Sequence, residues 1–396
     1  MITHPMGILS VFLIVLAALF TLNTTRMGKK VYQFVPMIVF AYFLPTLLSN
    51  VGLIPLKSDL YTFIKSWILP VSLILLTLSV DLKAILGLGR NALWLFLLST
   101  ITVVIGGPLA LFLTQAWLPV EMGDQLWKGL AALAGSWIGG GANFVAIGQS
   151  VGASDTTMAS MVIVDVFVAE VWTVILFYFA GREVDMDRKI GADRKSIDTL
   201  RKKVESFRKK VLRPTTAADL FLLMALSVGG TFLAKSLASV LPDVGDIIRN
   251  FTWVVIIVTS IGLGLSFTRF RKLEGVGASS FGTFFIFLLV AVIGAKAQFS
   301  EVMKVPSLIL IGVVWITIHI LVLMIARRIL KAPIFFVAVG SKANIGGAAS
   351  APIVAGAFHP SLAPVGVLLA IGGYVLGTYA ALISAFLLEK TYFLIS

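Results

Sequence analysis

The sequence predicts an all-α integral membrane protein built as an inverted repeat, each half holding five transmembrane helices and one re-entrant or broken Gly-rich segment. Three observations predict it. Long apolar segments recur along the chain, the charges of the loops balance only if two of those segments do not cross, and those two share a Gly/Asn signature.

The apolar segments come first. The 396-residue chain is 58% hydrophobic and only 13% charged, about half the charge of a typical soluble domain. Runs of 18 or more apolar residues can each span a hydrocarbon core of about 30 Å as a helix. They fall at 7–25, 31–52, 60–80, 91–116, 126–150 and 157–180, then at 217–240, 250–268, 277–298, 305–326, 332–357 and 361–388. A transmembrane barrel would show short alternating strands instead. No Lys or Arg precedes the first run, so it lacks the basic start of a signal peptide and reads as a retained helix.

Loop charge then sets the topology. Basic loops favour the cytoplasmic side. If all twelve segments crossed, the Arg26/Lys29/Lys30 loop and the basic linker 181–216 would fall on opposite sides. If 126–150 and 332–357 dip in and return, every strongly basic region becomes cytoplasmic: Arg26/Lys29/Lys30, Lys83/Arg90, the linker, Arg269/Arg271/Lys272 and Arg327/Arg328/Lys331. The acidic pairs Glu121/Asp124 and Asp243/Asp246 become external, as do both termini. Five crossings are odd in number, so the second half inverts. The domains are therefore 1–180 as first repeat, 181–216 as cytoplasmic linker, and 217–396 as second repeat, in the cytoplasmic (inner) membrane.

The two exempted segments are also the oddest in composition. Gly135–Asn143 reads Gly-Ser-Trp-Ile-Gly-Gly-Gly-Ala-Asn, and 340–352 reads Gly-Ser-Lys-Ala-Asn-Ile-Gly-Gly-Ala-Ala-Ser-Ala-Pro. Clustered Gly costs a helix about 1 kcal/mol per residue relative to Ala, so both should unwind locally. Unwound backbone at membrane depth is tolerated only when buried in protein or lining a polar cavity. Paired interruptions at corresponding positions point to a transporter binding site. The candidate solute-binding residues are Ser136, Gly139, Gly140, Gly141, Asn143, Gln149, Ser341, Lys342, Asn344, Gly346, Gly347 and Ser350. The competing reading, helix packing through small residues, accounts for Gly and Ala but not for the polar residues at the same depth.

Those residues carry a family resemblance. The stretch 340–352, with Ala363-Pro-Val-Gly-Val-Leu-Leu, Gly372-Gly-Tyr-Val-Leu-Gly-Thr-Tyr379, Gly135–Asn143 and Leu78-Ser-Val-Asp-Leu82, resembles the YjcL-like family, a domain of unknown function. More distantly, the arrangement resembles the sodium–glutamate, 2-hydroxycarboxylate and bile-acid–sodium symporters. That resemblance implies an elevator, with a core of 91–180 and 305–388 carrying solute past a scaffold made of the remaining helices. It also implies a homodimer joined through the scaffold.

Ionisable residues inside a membrane are functional candidates by default. Asp165 lies about 12 Å into segment 157–180 and Glu170 near its middle. Both are candidates to couple Na⁺ or a proton, as is His319 in 305–326. Lys342 beside the unwound segment suggests an anionic solute. In the linker, Ile197, Leu200, Val204, Phe207 and Val211 are spaced 3, 4, 3 and 4 residues apart, one face of a helix whose other face is basic. Such a helix suits a membrane surface. The linker's 12 Lys/Arg against 6 Asp/Glu is read as cytoplasmic charge bias, with no nucleic-acid partner.

The expected function is a secondary active transporter that moves a small anionic organic solute, coupled to Na⁺ or H⁺. The alternatives are a cation/proton exchanger without organic substrate and a structural membrane protein. A channel would need polar residues along whole helix faces. No HExxH or Walker motif occurs and the chain has no cysteine, so neither an enzyme nor a cofactor is expected beyond a bound Na⁺.

Overall fold

The computed structural model describes residues 1–34, 37–81, 85–192, 197, 214–244, 250–296, 306–359 and 362–396. Among these, the helices are α1 (Pro5–Thr24), α2 (Arg26–Phe34), α3 (Met37–Asn50), α4 (Asp59–Leu78), α5 (Arg90–Leu113), α6 (Gln125–Ser150), α7 (Asp155–Ala180) and α8 (Glu183–Arg188). After the linker come α9 (Ala217–Ala238), α10 (Asn250–Ser266), α11 (Ala278–Lys296), α12 (Pro306–Leu330), α13 (Ile334–Asn344), α14 (Gly347–Phe358) and α15 (Ala363–Ile395). Nine helices among the described residues are long and apolar enough to cross a membrane. Nearly all of the basic linker helix, Val204 and Phe207 included, lies outside the described residues, as does Lys83.

The segments match the apolar runs, with local differences. The run 31–52 is not one helix: α2 precedes α3, which has only 14 residues and carries Pro45 inside. α4 widens to a π-helix at Ile64–Ile68. After α10 the chain turns by 96° into a 3₁₀ segment at Arg269–Val276.

α6 is long enough to span a membrane but does not run straight. Gly140 has φ 70° and ψ −169°, a conformation open to glycine and strained for other residues. Beyond it the chain folds back. A Cβ built on Gly135 would lie 2.6 Å from the carbonyl oxygen of Asn143, and one on Gly148 would lie 3.3 Å from the Ala132 Cβ. In a continuous helix, residues eight and sixteen apart would be about 12 and 24 Å apart. The two arms also close at their base, where the Gln125 Oε1 accepts from the Ser154 backbone N–H at 2.7 Å. α6 is therefore a helical hairpin with its tip at Gly140.

α13 and α14 form a second hairpin. The chain turns at Gly346 (φ 125°) and Gly347 (φ 63°), and the rings of Phe335 and Phe358, at the far ends of the two arms, are 5.6 Å apart. The base of this hairpin is held elsewhere: the Ile334 N–H and the Arg327 guanidinium both donate to the Asp187 carboxylate, at 2.8 and 2.9 Å. The two tips meet. A Cβ on Gly347 would lie 3.7 Å from the Gly140 Cα.

Packing sorts the helices into two groups. α3, α4, α9, α10 and α11 pack on one another, with α1 against α3 and α11. α5, α12, α15 and the two hairpins form the other group, with α7 against α6 and α12. Thr46 joins α3 to α11 by donating to the Gly294 carbonyl at 2.9 Å. Between the groups, one carboxylate makes a prominent link. Asp155, at the start of α7, pairs with Lys65 of the α4 π-helix through one oxygen and with Lys296, at the end of α11, through the other at 2.5 Å.

Candidate functional site

A cavity of about 380 Å³ lies where the hairpin tips face the first group of helices. One wall carries Ser136, Gly140 and Gly141 of the first hairpin, Gly346, Gly347 and Ser350 of the second, and Asp165 and Glu170 of α7, with Tyr374 of α15. The opposite wall carries Met37 and Tyr42 of α3, Leu76 of α4, and Thr283, Phe287 and Val290 of α11. The glycines at the tips leave backbone exposed to the cavity, as positions without a Cβ allow.

The carboxylates differ in their partners. Asp165 accepts from the Ser136 hydroxyl at 2.5 Å and from the Trp137 indole at 2.8 Å, so both its oxygens are engaged in fixing the first hairpin to α7. Glu170 makes no hydrogen bond or ion pair among the described residues and lies on the cavity wall. The Ser350 hydroxyl and the Tyr42 hydroxyl are buried without hydrogen-bond partners.

The remaining sequence candidates sit elsewhere. Asn143 donates to the Gly139 and Tyr374 carbonyls at 3.2 and 2.9 Å and accepts from the Thr378 hydroxyl at 2.8 Å. Asn344 repeats the arrangement on α5: it donates to Gly340 and Phe96 carbonyls at 3.0 and 3.2 Å and accepts from Thr100 at 2.9 Å. In each case the amide bonds the carbonyl four residues back, then a carbonyl and a Thr hydroxyl four residues apart on a neighbouring helix. Both side chains are fully buried and neither lines the cavity. They clasp the hairpins in place and have little left to offer a solute.

His319 is likewise enclosed. One ring nitrogen meets Thr102 at 2.7 Å and the other meets Ser341 at 2.7 Å, while Trp172 donates to the same Ser341 oxygen at 2.8 Å. This closed chain joins α5, α7, α12 and α13. Ser341 and His319 thus serve packing, and the coupling role expected of His319 has no access to the cavity. Gly139 is a contact point too: a Cβ there would come within 2.8 Å of the Gly373 carbonyl, which explains why α15 lies so close to the first hairpin. Gln149 lies near the hairpin base, away from the tip, with its amide nitrogen unpartnered.

Lys342 departs most from expectation. It is not on the cavity wall but directly behind it: its ammonium donates to the Thr173 hydroxyl at 2.5 Å and the Ala169 carbonyl at 3.4 Å, and a Cβ on the cavity residue Gly346 would lie 2.9 Å from it. It is fully buried and lies within electrostatic reach of both Glu170 and Asp165. The wall itself carries two carboxylates and no Lys, Arg or His. Tyr42 and Thr283 were not among the sequence candidates, since each lies on an ordinary apolar helix with no local signal; Tyr374 lies in the 372–379 stretch that carries the family resemblance but was not singled out as a site residue.

Comparison with known proteins agrees with a membrane protein. The chain is 26% identical over 345 residues to the uncharacterized membrane protein YjcL of Bacillus subtilis (strain 168), covering 84% of each chain. A family model described as protein of unknown function, DUF819, matches residues 11–391. With its hairpins, apolar spans and nearly its whole length inside that match, this chain belongs to the DUF819 family of membrane proteins.

Proposed function

We propose that this protein is a secondary active transporter whose small organic solute occupies the cavity between the hairpin tips and the α3, α4 and α11 wall. The observation that carries the reading is the meeting of two oppositely rooted hairpins, at Gly140 and Gly347, on one side of a cavity whose other side belongs to a different packing group. Interrupted helices meeting at mid-membrane are costly unless they line a polar cavity, and they recur at transporter binding sites. On this reading the two halves form an inverted repeat. The hairpin group, 91–180 and 305–388, is the moving core, and the rest is the scaffold. The core moves past the scaffold and exposes the cavity to one side of the membrane and then the other.

The Asp155 clasp fits this reading as a lock. Asp155 belongs to the core, Lys65 and Lys296 to the scaffold, and all three side chains are 21–27% exposed. A partly exposed bridge of this kind contributes about 1 kcal/mol or less, small enough to break in each cycle. The anionic solute expected from Lys342 is not retained, because that ammonium is fully buried behind the cavity wall and bonded to Thr173 and Ala169.

Accessibility of the cavity from the two sides is the test. The chain has no cysteine, so Ser350→Cys places a single thiol on the cavity wall. In sealed vesicles a membrane-impermeant maleimide should label it from either face. Asp155→Asn should shift the ratio of the two labelling rates by severalfold. Labelling from one face only, unchanged by Asp155→Asn and by candidate solutes, would count against the proposal and in favour of a structural role.

A further inference from the structure

We propose that one anionic phospholipid is held on the outer face of α1 and α11, with an acyl chain in the groove between them and its headgroup on the basic residues at the end of that groove. The proposal goes beyond the transporter reading and does not depend on it.

The groove has a volume of about 530 Å³. Leu13 and Phe20 of α1 and Phe284 and Phe287 of α11 line it, and so do Ser279 and Ser280. Its polar end follows from the directions of the helices. Thr46, near the C-terminal end of α3, bonds to Gly294, near the C-terminal end of α11. The Ile2 N–H, just before α1, bonds to the Leu53 carbonyl, just beyond α3, at 2.7 Å. α1 therefore starts where α3 and α11 finish and runs antiparallel to both. The C-terminal end of α1 and the N-terminal end of α11, with Ser279 and Ser280, share one end of the groove.

Both segments that adjoin this end are basic. α2 folds back sharply on α1: a Cβ on Gly28 would lie 1.9 Å from the Leu22 carbonyl oxygen, and the Tyr32 hydroxyl donates to the Leu19 carbonyl at 3.1 Å. Arg26 and Lys30, four residues apart, share one face of α2, and Met27 and Val31 share another. Arg26 and Lys30 are exposed, and Met27 is 71% exposed. α2 also contains Lys29 and holds no acidic residue. A short helix with one basic and one apolar face suits the interface of an anionic membrane. On the other side, the 3₁₀ segment Arg269–Val276 leads into α11 with Arg269 and Lys272 exposed. Its one carboxylate, Glu274, is committed to the Ser79 hydroxyl and to the Ser279 N–H and hydroxyl. Arg26, Lys30, Arg269 and Lys272 make no ion pair among the described residues.

An apolar groove that ends among uncommitted cations matches a hydrocarbon chain that ends in an anionic group. Basic segments beside a membrane helix attract anionic lipid. Symmetric pairing of two copies through this face would instead set one basic rim against another, which like charges oppose. Thr283 and Phe287 line both this groove and the central cavity, so the lipid would lie against the back of the α11 wall.

The experiment is thermal unfolding of the purified full-length protein in a neutral detergent, titrated with phosphatidylglycerol or with phosphatidylcholine of the same acyl chains. A lipid that binds the native state raises the midpoint by mass action. The expected result is a saturable rise at lower concentration with phosphatidylglycerol. Arg26→Gln, Lys29→Gln and Lys30→Gln together should move its half-response to higher concentration by about fivefold per charge removed and leave phosphatidylcholine unaffected. Removing as many charges elsewhere, with Arg182→Gln, Arg188→Gln and Lys189→Gln, should leave the preference in place. Ala17→Trp, which puts bulk into the groove, should weaken the response to both lipids. An equal response to the two lipids, a preference that survives the α2 variant or vanishes equally in the control, or an unaltered response in Ala17→Trp overturns the proposal. A midpoint that follows protein concentration and not lipid overturns it too, and assigns the groove to a second copy of the chain. Should the triple α2 variant fail to fold, Lys30→Gln alone, at an exposed position, carries the test with a fivefold shift.

Discussion

The two hairpin asparagines show how a residue can be recognised correctly and still be assigned the wrong task. Asn143 and Asn344 were conspicuous in the sequence because an amide among glycines at membrane depth needs partners. It found them in neighbouring helices: a carbonyl and a threonine hydroxyl on α15 for one, and the same pair on α5 for the other. Sequence alone does not say which way a side chain near a break will face, and the same ambiguity misplaced Lys342 and His319. Ser136, Gly140, Gly141, Asp165, Glu170, Gly346, Gly347 and Ser350 were legible and do border the cavity. The structure predicts that Asn143→Ala is a stability mutation. It removes three hydrogen bonds, two of them to α15, at roughly 0.6–2 kcal/mol per interhelical bond in a membrane. Its unfolding midpoint should fall clearly in a thermal melt. A variant as stable as the parent that loses only solute binding would return Asn143 to the binding wall.

At the scale of elements, the turn at Gly140 and the approach of α15 to the first hairpin depend on absent side chains. A Cβ on Gly139 would stand 2.1 Å from the Asn143 amide nitrogen, and one on Gly377 would stand 2.6 Å from the Gly139 Cα. Neither clash can be relieved by a flexible chain end alone, since backbone is involved in both. Gly377→Ala should therefore cost about 1–3 kcal/mol and separate α15 from the hairpin. Gly229 on α9 has open space around it, so Gly229→Ala should be near neutral in the same melt. The contrast checks whether these glycines act through packing: equal effects at both positions would contradict it. Two interrupted segments were legible in the sequence, because the glycine clusters marked them and the loop charges favoured hairpins over crossing broken helices. The division of 31–52 into α2 and α3, and the π-helix carrying Lys65, left no such signal, since neither alters the apolar run that contains it.

For the whole molecule, a single-body membrane protein and a two-body transporter differ in whether the wall made by α3, α4 and α11 can part from the hairpin tips. Between them lie a cavity and a salt-bridge clasp at Asp155, alongside an apolar core that runs through both groups. Which residues form the far wall could not be anticipated, because Tyr42 and Thr283 lie far from the hairpins in sequence and meet them only in the folded chain. The most direct measurement is the rate at which an impermeant maleimide reaches Ser350→Cys from each face of a sealed vesicle. Labelling from both faces, with the ratio changed by Asp155→Asn, is the result that alternating exposure of this cavity predicts. Labelling confined to one face, with the same rate in the Asp155→Asn background, would contradict it.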